Sequence, residues 1–286
     1  MIIVTGASGQ LGRGIVEQLL ERMPAAQLGV SVRQPEQALA LRERGVRVRQ
    51  GDFADAASLR HAFEGASQVL IISAATTGEV AVQQHRAAIE AARAAGARRI
   101  LYTSHMGASP ASAFAPMVDH AATEALLQTS GVAFTSLRNG FYAASAIMLM
   151  GQALETGKLV APKDGPVSWA AHADLAQAAA LALTEEGRLT NLTPPLTGAE
   201  ALDLSDIAAM ASALTGRPIT RITVTDDEFR AGLLSHGLPE ARADMLVGLF
   251  VASRRGEFAA VNSTLERLLG RPPISMREVL ARHISR

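Results

Sequence analysis

The chain has 286 residues, 48% of them apolar, with 27 basic and 27 acidic side chains. That length suits one large domain, or a large and a small one, with enough apolar residues to bury a core. Balanced charge argues against a nucleic-acid or acidic-lipid face, and the lack of cysteine removes disulfides, thiolate nucleophiles and cysteine-ligated zinc.

Met1-Ile2-Ile3-Val4 reads as a buried strand, without the basic stretch and cleavage site of a secretory signal. No apolar run reaches the ~18 residues of a membrane span, Ala143 to Leu154 coming nearest. A soluble, cytoplasmic protein without a membrane or nucleic-acid partner is expected, as monomer or homodimer. Strand-like and helix-like segments then alternate to about residue 140. "IIVTG" precedes a helix with apolar Leu11, Ile15, Leu19 and Leu20; "LGVSVR" and "RVRQGD" flank a helix over Pro35 to Arg44. "QVLIISA" leads to an alanine-rich helix from Val80 to Ala95, "ARRILYTS" to the helix containing "DHAATEALL", and "AFTSLRN" closes the series. Strands joined by helices of this length indicate an α/β fold, a Rossmann-type doubly wound parallel sheet covered on both faces.

Beyond residue 140 strands are sparse. Residues 141–286 are expected to form mainly a smaller, mostly helical substrate-binding cap, with a strand and helix around 160–185 returning to the 1–140 unit. "VSWAAHADLAQAAALAL" reads as a strand running into a helix, and "NLTPPLTG" and "GRPITRITV" as connecting or edge pieces. Capping boxes at Thr225–Glu228, Ser263–Glu266 and Ser275–Glu278 announce three helices.

Gly6, Gly9 and Gly12 sit between the first strand and helix. In a dinucleotide fingerprint the first glycine permits the tight turn, the second lets backbone approach a pyrophosphate and the third allows close helix–sheet packing. The helix start then offers free N–H groups and a positive dipole end. At the end of the second strand a carboxylate would bind the NAD ribose, whereas Arg33 suits the 2′-phosphate of NADP. At the third strand's end, Asp52 can accept from the adenine amino group or cap the following turn, with Phe53 beside the ring.

The chain resembles the NmrA-like atypical short-chain dehydrogenase/reductases, in the branch of NADPH-dependent quinone reductases and triphenylmethane dye reductases. The motifs that carry this are "TGASGQLG", "VRQPEQALAL", "GVRVRQGDF", "QHRAAIEAARAAGARRILYTS", "HAATEALL" and "FTSLRNGFY", with weaker ones such as "ADLAQAAALALTEEG" and "GLPEARADML" continuing to the C-terminus. The resemblance implies an NADP(H) site on a Rossmann domain, with a cleft to a C-terminal substrate domain. It places cofactor contacts at Gly6, Ala7, Ser8, Gly9, Gln10 and Leu11, at Arg33, at Ser73, Ala74 and Ala75, and at Asn139, Gly140, Phe141 and Tyr142.

Most short-chain dehydrogenases move a proton through a Tyr-x-x-x-Lys pair. Here Tyr102 and Tyr142 are followed four residues on by Met106 and Ala146, and the two lysines, Lys158 and Lys163, lie elsewhere. Reduction of plain ketones is therefore disfavoured. The corresponding helix carries His120 and Glu124, four apart and so on one face. Glu124 reads as a partly exposed polar residue; His120 reads either as a polar surface residue or as a proton donor facing the nicotinamide. Ser104 either holds a substrate oxygen or satisfies the strand end. Asn139 serves the nicotinamide amide or the loop, Tyr142 walls the substrate pocket, and Trp169, Met148 and Met150 read as core or pocket lining. No His-Glu-x-x-His motif, carboxylate cluster or Gly-x-Ser-x-Gly elbow offers a metal site or a hydrolase nucleophile.

The expected function is NADPH-dependent hydride transfer to a small conjugated acceptor such as a quinone or cationic dye. The alternatives are a redox-sensing NADP(H)-binding regulator without turnover and a biosynthetic reductase with a dedicated substrate.

Overall fold

A computed structural model describes residues 1–285. Its first half alternates β1 (Ile2–Thr5), α1 (Gln10–Leu20), β2 (Leu28–Val32), α2 (Leu39–Glu43), β3 (Arg47–Gln50), α3 (Ala56–Phe63), β4 (Gln68–Ile71), α4 (Glu79–Ala94), β5 (Arg99–His105), α5 (Ala115–Thr129) and β6 (Ala133–Asn139). The second half holds β7 (Phe141–Tyr142), α6 (Ala143–Met150), α7 (Ala153–Thr156), β8 (Lys158–Pro162), β9 (Val167–Ala170), α8 (His172–Thr184), β10 (Asn191–Leu192), β11 (Ala201–Leu202), α9 (Leu204–Thr215), β12 (Thr220–Val224), α10 (Asp226–Ser235), α11 (Glu240–Arg254), α12 (Thr264–Leu269) and α13 (Met276–Ile284).

Seven strands make one parallel sheet in the order β10-β6-β5-β4-β1-β2-β3. The central strands β1, β2 and β4 are buried along their whole length because both faces are covered. Ile2 and Val4 bury against the layer of α1 and α8, while Ile3 buries against that of α3 and α4. The order reverses between β1 and β4, and such a switch point opens a crevice at the carboxyl ends of the strands.

The alanine-rich run of α8 packs along α1 on one face of this sheet. Its small side chains permit close approach: a Cβ on Gly14 would lie 3.0 Å from Cβ of Ala176. The strand before it does not return. β9 instead joins β7 in parallel and β11 in antiparallel register, forming a separate three-stranded sheet. "NLTPPLTG" supplies the edge strand β10, and "GRPITRITV" supplies β12, which pairs in parallel with β8. A second apolar cluster, from Phe114 and Phe141 through Trp169 and Phe258 to Leu280, ties these later elements together.

Two of the three expected capping boxes form, at Thr225 and Ser275, and a third appears at Asp203 with Asp206 as its reciprocal partner. The box at Ser263 does not form. Ser263 has ψ near 3°, outside the extended conformation an N-cap needs, and accepts from Arg267 instead, while Asn262 Oδ1 takes the N–H of Thr264.

Candidate active site

The phosphate loop follows from its glycines. Gly6 has φ of +61°, a conformation that a side chain disfavours, and the turn closes with Gly9 N–H donating to Gly6 O at 3.0 Å. A Cβ on Gly12 would stand 2.2 Å from Gly6 O, so only glycine lets α1 start this close to the strand. No side chain caps α1, its first turn carries no acid, and the N–H groups of Gln10, Leu11 and Gly12 have no backbone acceptor among the described residues. Ser8, Gly9 and Gln10 are exposed, whereas Ala7 and Leu11 are buried supports. Free donors at a helix N-terminus are suited to phosphate oxygens. Beside them runs a groove of about 450 Å³ lined by Ala7, Ser8, Arg13, Val32 and Gln34 among others. Arg33 lies between two of these lining residues; it is exposed and makes no hydrogen bond or ion pair among the described residues.

The other expected contacts divide. Asp52 Oδ1 accepts the N–H of Ala54, so this carboxylate caps the turn it was expected either to cap or to leave for adenine. Phe53 is half-buried and meets His85 edge-on. After β4 the backbone leaves the sheet with each N–H met in turn by a side chain: Ile72 by Thr5, Ser73 by Thr103 and Ala74 by His85 Nε2. Ala75 follows, exposed. This staircase fixes the backbone after β4 beside the phosphate loop, where a Cβ on Gly6 would lie 3.2 Å from Cβ of Ile72. At the end of β6, Gly140 is wedged where a Cβ would lie 3.0 Å from two carbonyl oxygens. Phe141 is a correction: its ring is buried among His105, Phe114, Trp169 and Phe258, in the apolar core. Trp169 and Met150 are core as read, but Met148 is 76% exposed and lines nothing. Tyr142 is half-buried against the His172 ring, with burial pushing its hydroxyl pKa up.

Glu124 is the second correction. It is buried, not partly exposed, and its carboxylate accepts from Ser104 Oγ at 2.8 Å, Ser136 Oγ at 2.8 Å, and Arg138 Nε and Nη2 at 3.0 and 2.6 Å. Ser104 and Arg138 are register partners, as are Tyr102 and Ser136, so one face of two paired strands converges on this residue. Ser104 is therefore committed to the strand end and does not present a hydroxyl to substrate.

His120, one turn before Glu124, is held differently. Its Nδ1 lies 2.7 Å from Tyr102 Oη, and its ring stacks on His105 at 6.2 Å. Part of the residue stays exposed, yet protein surrounds the ring, and desolvation lowers its pKa to about 4. The same cause, assisted by the nearby His120 charge, lowers His85 and His105 to about 3. Burial thus favours the neutral imidazole near pH 7. Sequence reading overlooked His85, Tyr102 and His105. A signal existed: Tyr102 and Ser104 alternate on one strand face as His120 and Glu124 repeat on one helix face.

Two features fit a dinucleotide at this crevice: the glycine cradle with its free N–H groups, and Asn139 Oδ1, which is buried with no partner. An orphaned acceptor at a strand end costs free energy unless a ligand donor, such as a carboxamide, meets it.

Parallel sheet, glycine turn and open switch point define a Rossmann-type dinucleotide-binding protein. The chain belongs to the NAD(P)H-binding family, whose model matches residues 6–186, and is an oxidoreductase of the NmrA-like group. It is 38% identical to quinone oxidoreductase 2 of Escherichia coli, over 97% of this chain and 96% of that one. The structure of the Escherichia coli NADPH-dependent quinone oxidoreductase with NADPH superposes with a TM-score of 0.93 at 36% identity, covering 99% and 100% of the two chains. Citrobacter sp. triphenylmethane reductase with NADP(H) gives 0.90 at 31% identity, covering 99% of each.

Proposed function

We propose that the chain is an NADPH-dependent reductase acting on quinones or similar flat, conjugated electrophiles. The carrying observation is His120: a buried imidazole hydrogen-bonded to Tyr102, on the helix that by the sequence resemblance corresponds to the one bearing the Tyr-x-x-x-Lys pair in short-chain dehydrogenases. The chemistry supplied by bound NADPH is hydride donation. The chain's own residues do the rest. Gln10, Leu11 and Gly12 present N–H donors for the pyrophosphate, Arg33 pairs with the 2′-phosphate, and Asn139 Oδ1 accepts from the carboxamide. His120 donates a hydrogen bond to an acceptor oxygen. A neutral donor suffices for a quinone, whose reduced oxygen is weakly basic, and falls short for a ketone, whose alkoxide needs a full proton. The names of the similar proteins, a quinone oxidoreductase and a triphenylmethane reductase, agree with such acceptors. Purified protein should oxidise NADPH with benzoquinones and triphenylmethane dyes much faster than with unactivated ketones. Intact NADPH binding without turnover on a panel of quinones, dyes and enones would replace this reading with a redox sensor.

A further inference from the structure

The buried polar cluster between α4, β5 and α5 has its protons assigned by its own hydrogen bonds. His85 Nε2 accepts the N–H of Ala74 at 2.8 Å, so His85 carries its proton on Nδ1 and donates it to Thr123 Oγ1 at 2.9 Å. Thr123 in turn donates to Asp119 O at 2.8 Å. His105 Nδ1 accepts from Gly107 N–H, leaving its proton on Nε2. Tyr102 is fully buried, and the short hydrogen bond of its hydroxyl is with His120 Nδ1 at 2.7 Å. A buried phenol must place its proton on an acceptor. Thr123 Oγ1 keeps a second lone pair and lies close enough to temper the Tyr102 pKa. Its short hydrogen bonds run to His85 and Asp119, however, whereas the short contact of the Tyr102 hydroxyl runs to His120 Nδ1, the acceptor the geometry favours. Burial raises the Tyr102 pKa far beyond the working range, so the phenol keeps its proton. The other nitrogen, His120 Nε2, has no partner and is not among the fully buried unpartnered atoms, so it belongs to the accessible part of the residue.

We propose that Tyr102 locks His120 in the Nε2–H tautomer, so that α5 presents a neutral N–H donor to the oxygen of the acceptor. Tyr102 is then a positioning residue: it touches neither cofactor nor substrate, and acts through the imidazole. No proton leaves His120 in this role. Hydride addition to a quinone yields the hydroquinone monoanion, whose developing charge the N–H stabilises, and the single proton that completes the hydroquinone arrives from water. The role toward substrate rests on the reductase reading; the tautomer does not.

Long-range proton–nitrogen correlation spectra of the full chain, with ¹⁵N-labelled histidine at pH 7, read the tautomer without substrate. His120→Gln identifies the resonances. The wild type should show a pyrrole-type Nε2 and a pyridine-type Nδ1 for His120, and Tyr102→Phe should move both toward an averaged pair. Tyr102→Phe should also lower kcat for a quinone about 3- to 10-fold with KM little changed. A protonated Nδ1 in the wild type, needing no variant to fold, overturns the proposal. An unchanged tautomer in Tyr102→Phe overturns it too, as does a changed tautomer with unchanged kcat. The expected tautomers in a protein that turns over no acceptor would uphold the lock and reject the reductase reading alone.

Discussion

Arg138 Nη2 lies 2.6 Å from Glu124 Oε2, and this pair joins the end of β6 to the middle of α5. The carboxylate is 5% exposed and the guanidinium 27%, so the bond is sheltered at one end and wet at the other. It orients the helix turn that carries His120. Stability and site geometry therefore share one contact.

Glu124→Ala removes an acceptor that takes four hydrogen bonds from Ser104, Ser136 and Arg138. Breaking a buried pair costs about 3–5 kcal/mol, and the partial exposure of Arg138 argues for the lower end, about 3 kcal/mol. Glu124→Gln retains acceptors and should lose less. Urea unfolding of the three proteins checks the order; a loss below about 1 kcal/mol for the alanine variant would refute a clamp.

Arg33→Ala tests cofactor choice. Charge-assisted contacts to a phosphate contribute about 1.5–3 kcal/mol, so NADPH should bind about one to two orders of magnitude more weakly while NADH changes little. Calorimetric titration of both cofactors decides it, and equal losses would show that Arg33 does not read the 2′-phosphate.

His120→Phe should reduce quinone turnover by about 10²-fold, the range lost when one neutral donor to a developing oxyanion is removed. A cationic dye carbon takes hydride alone, so dye reduction should fall much less. Parallel losses would mean that the ring shapes the pocket without donating to substrate.

The lowered histidine pKa values set a pH dependence. His85, His105 and His120 have folded-state values of about 3, 3 and 4, below the 6.5 of an unperturbed imidazole. As pH falls below 6.5 the unfolded chain takes up protons that the folded chain refuses, so stability is greatest above 6.5 and is lost toward pH 4. Each group contributes up to about 1.4 kcal/mol per pH unit across that window. Urea midpoints should drop steeply between pH 6 and 5, while quinone turnover stays level from pH 6 to 8. A bell with a limb near 6.5 would mean that His120 titrates normally.

What the linear sequence determined is the part written in local spacing. Gly6, Gly9 and Gly12, the apolar strands and the helices between them specify the Rossmann sheet because backbone sterics and burial on both faces act over a few residues. The missing Tyr-x-x-x-Lys pair is likewise a fact of spacing, and it is the ground on which acceptors that need no strong acid are proposed. Tertiary structure decided what needs distant residues. Glu124 looked like a surface acid because its partners Ser104, Ser136 and Arg138 come from two strands that only sheet pairing brings beneath it. His120 looked like an ordinary imidazole because its pKa depends on desolvation by Tyr102 and His105, residues 18 and 15 positions away in the chain. Protonation and tautomer are set by the dielectric and the hydrogen-bond partners around a ring, and those exist only once strand, helix and cleft have packed.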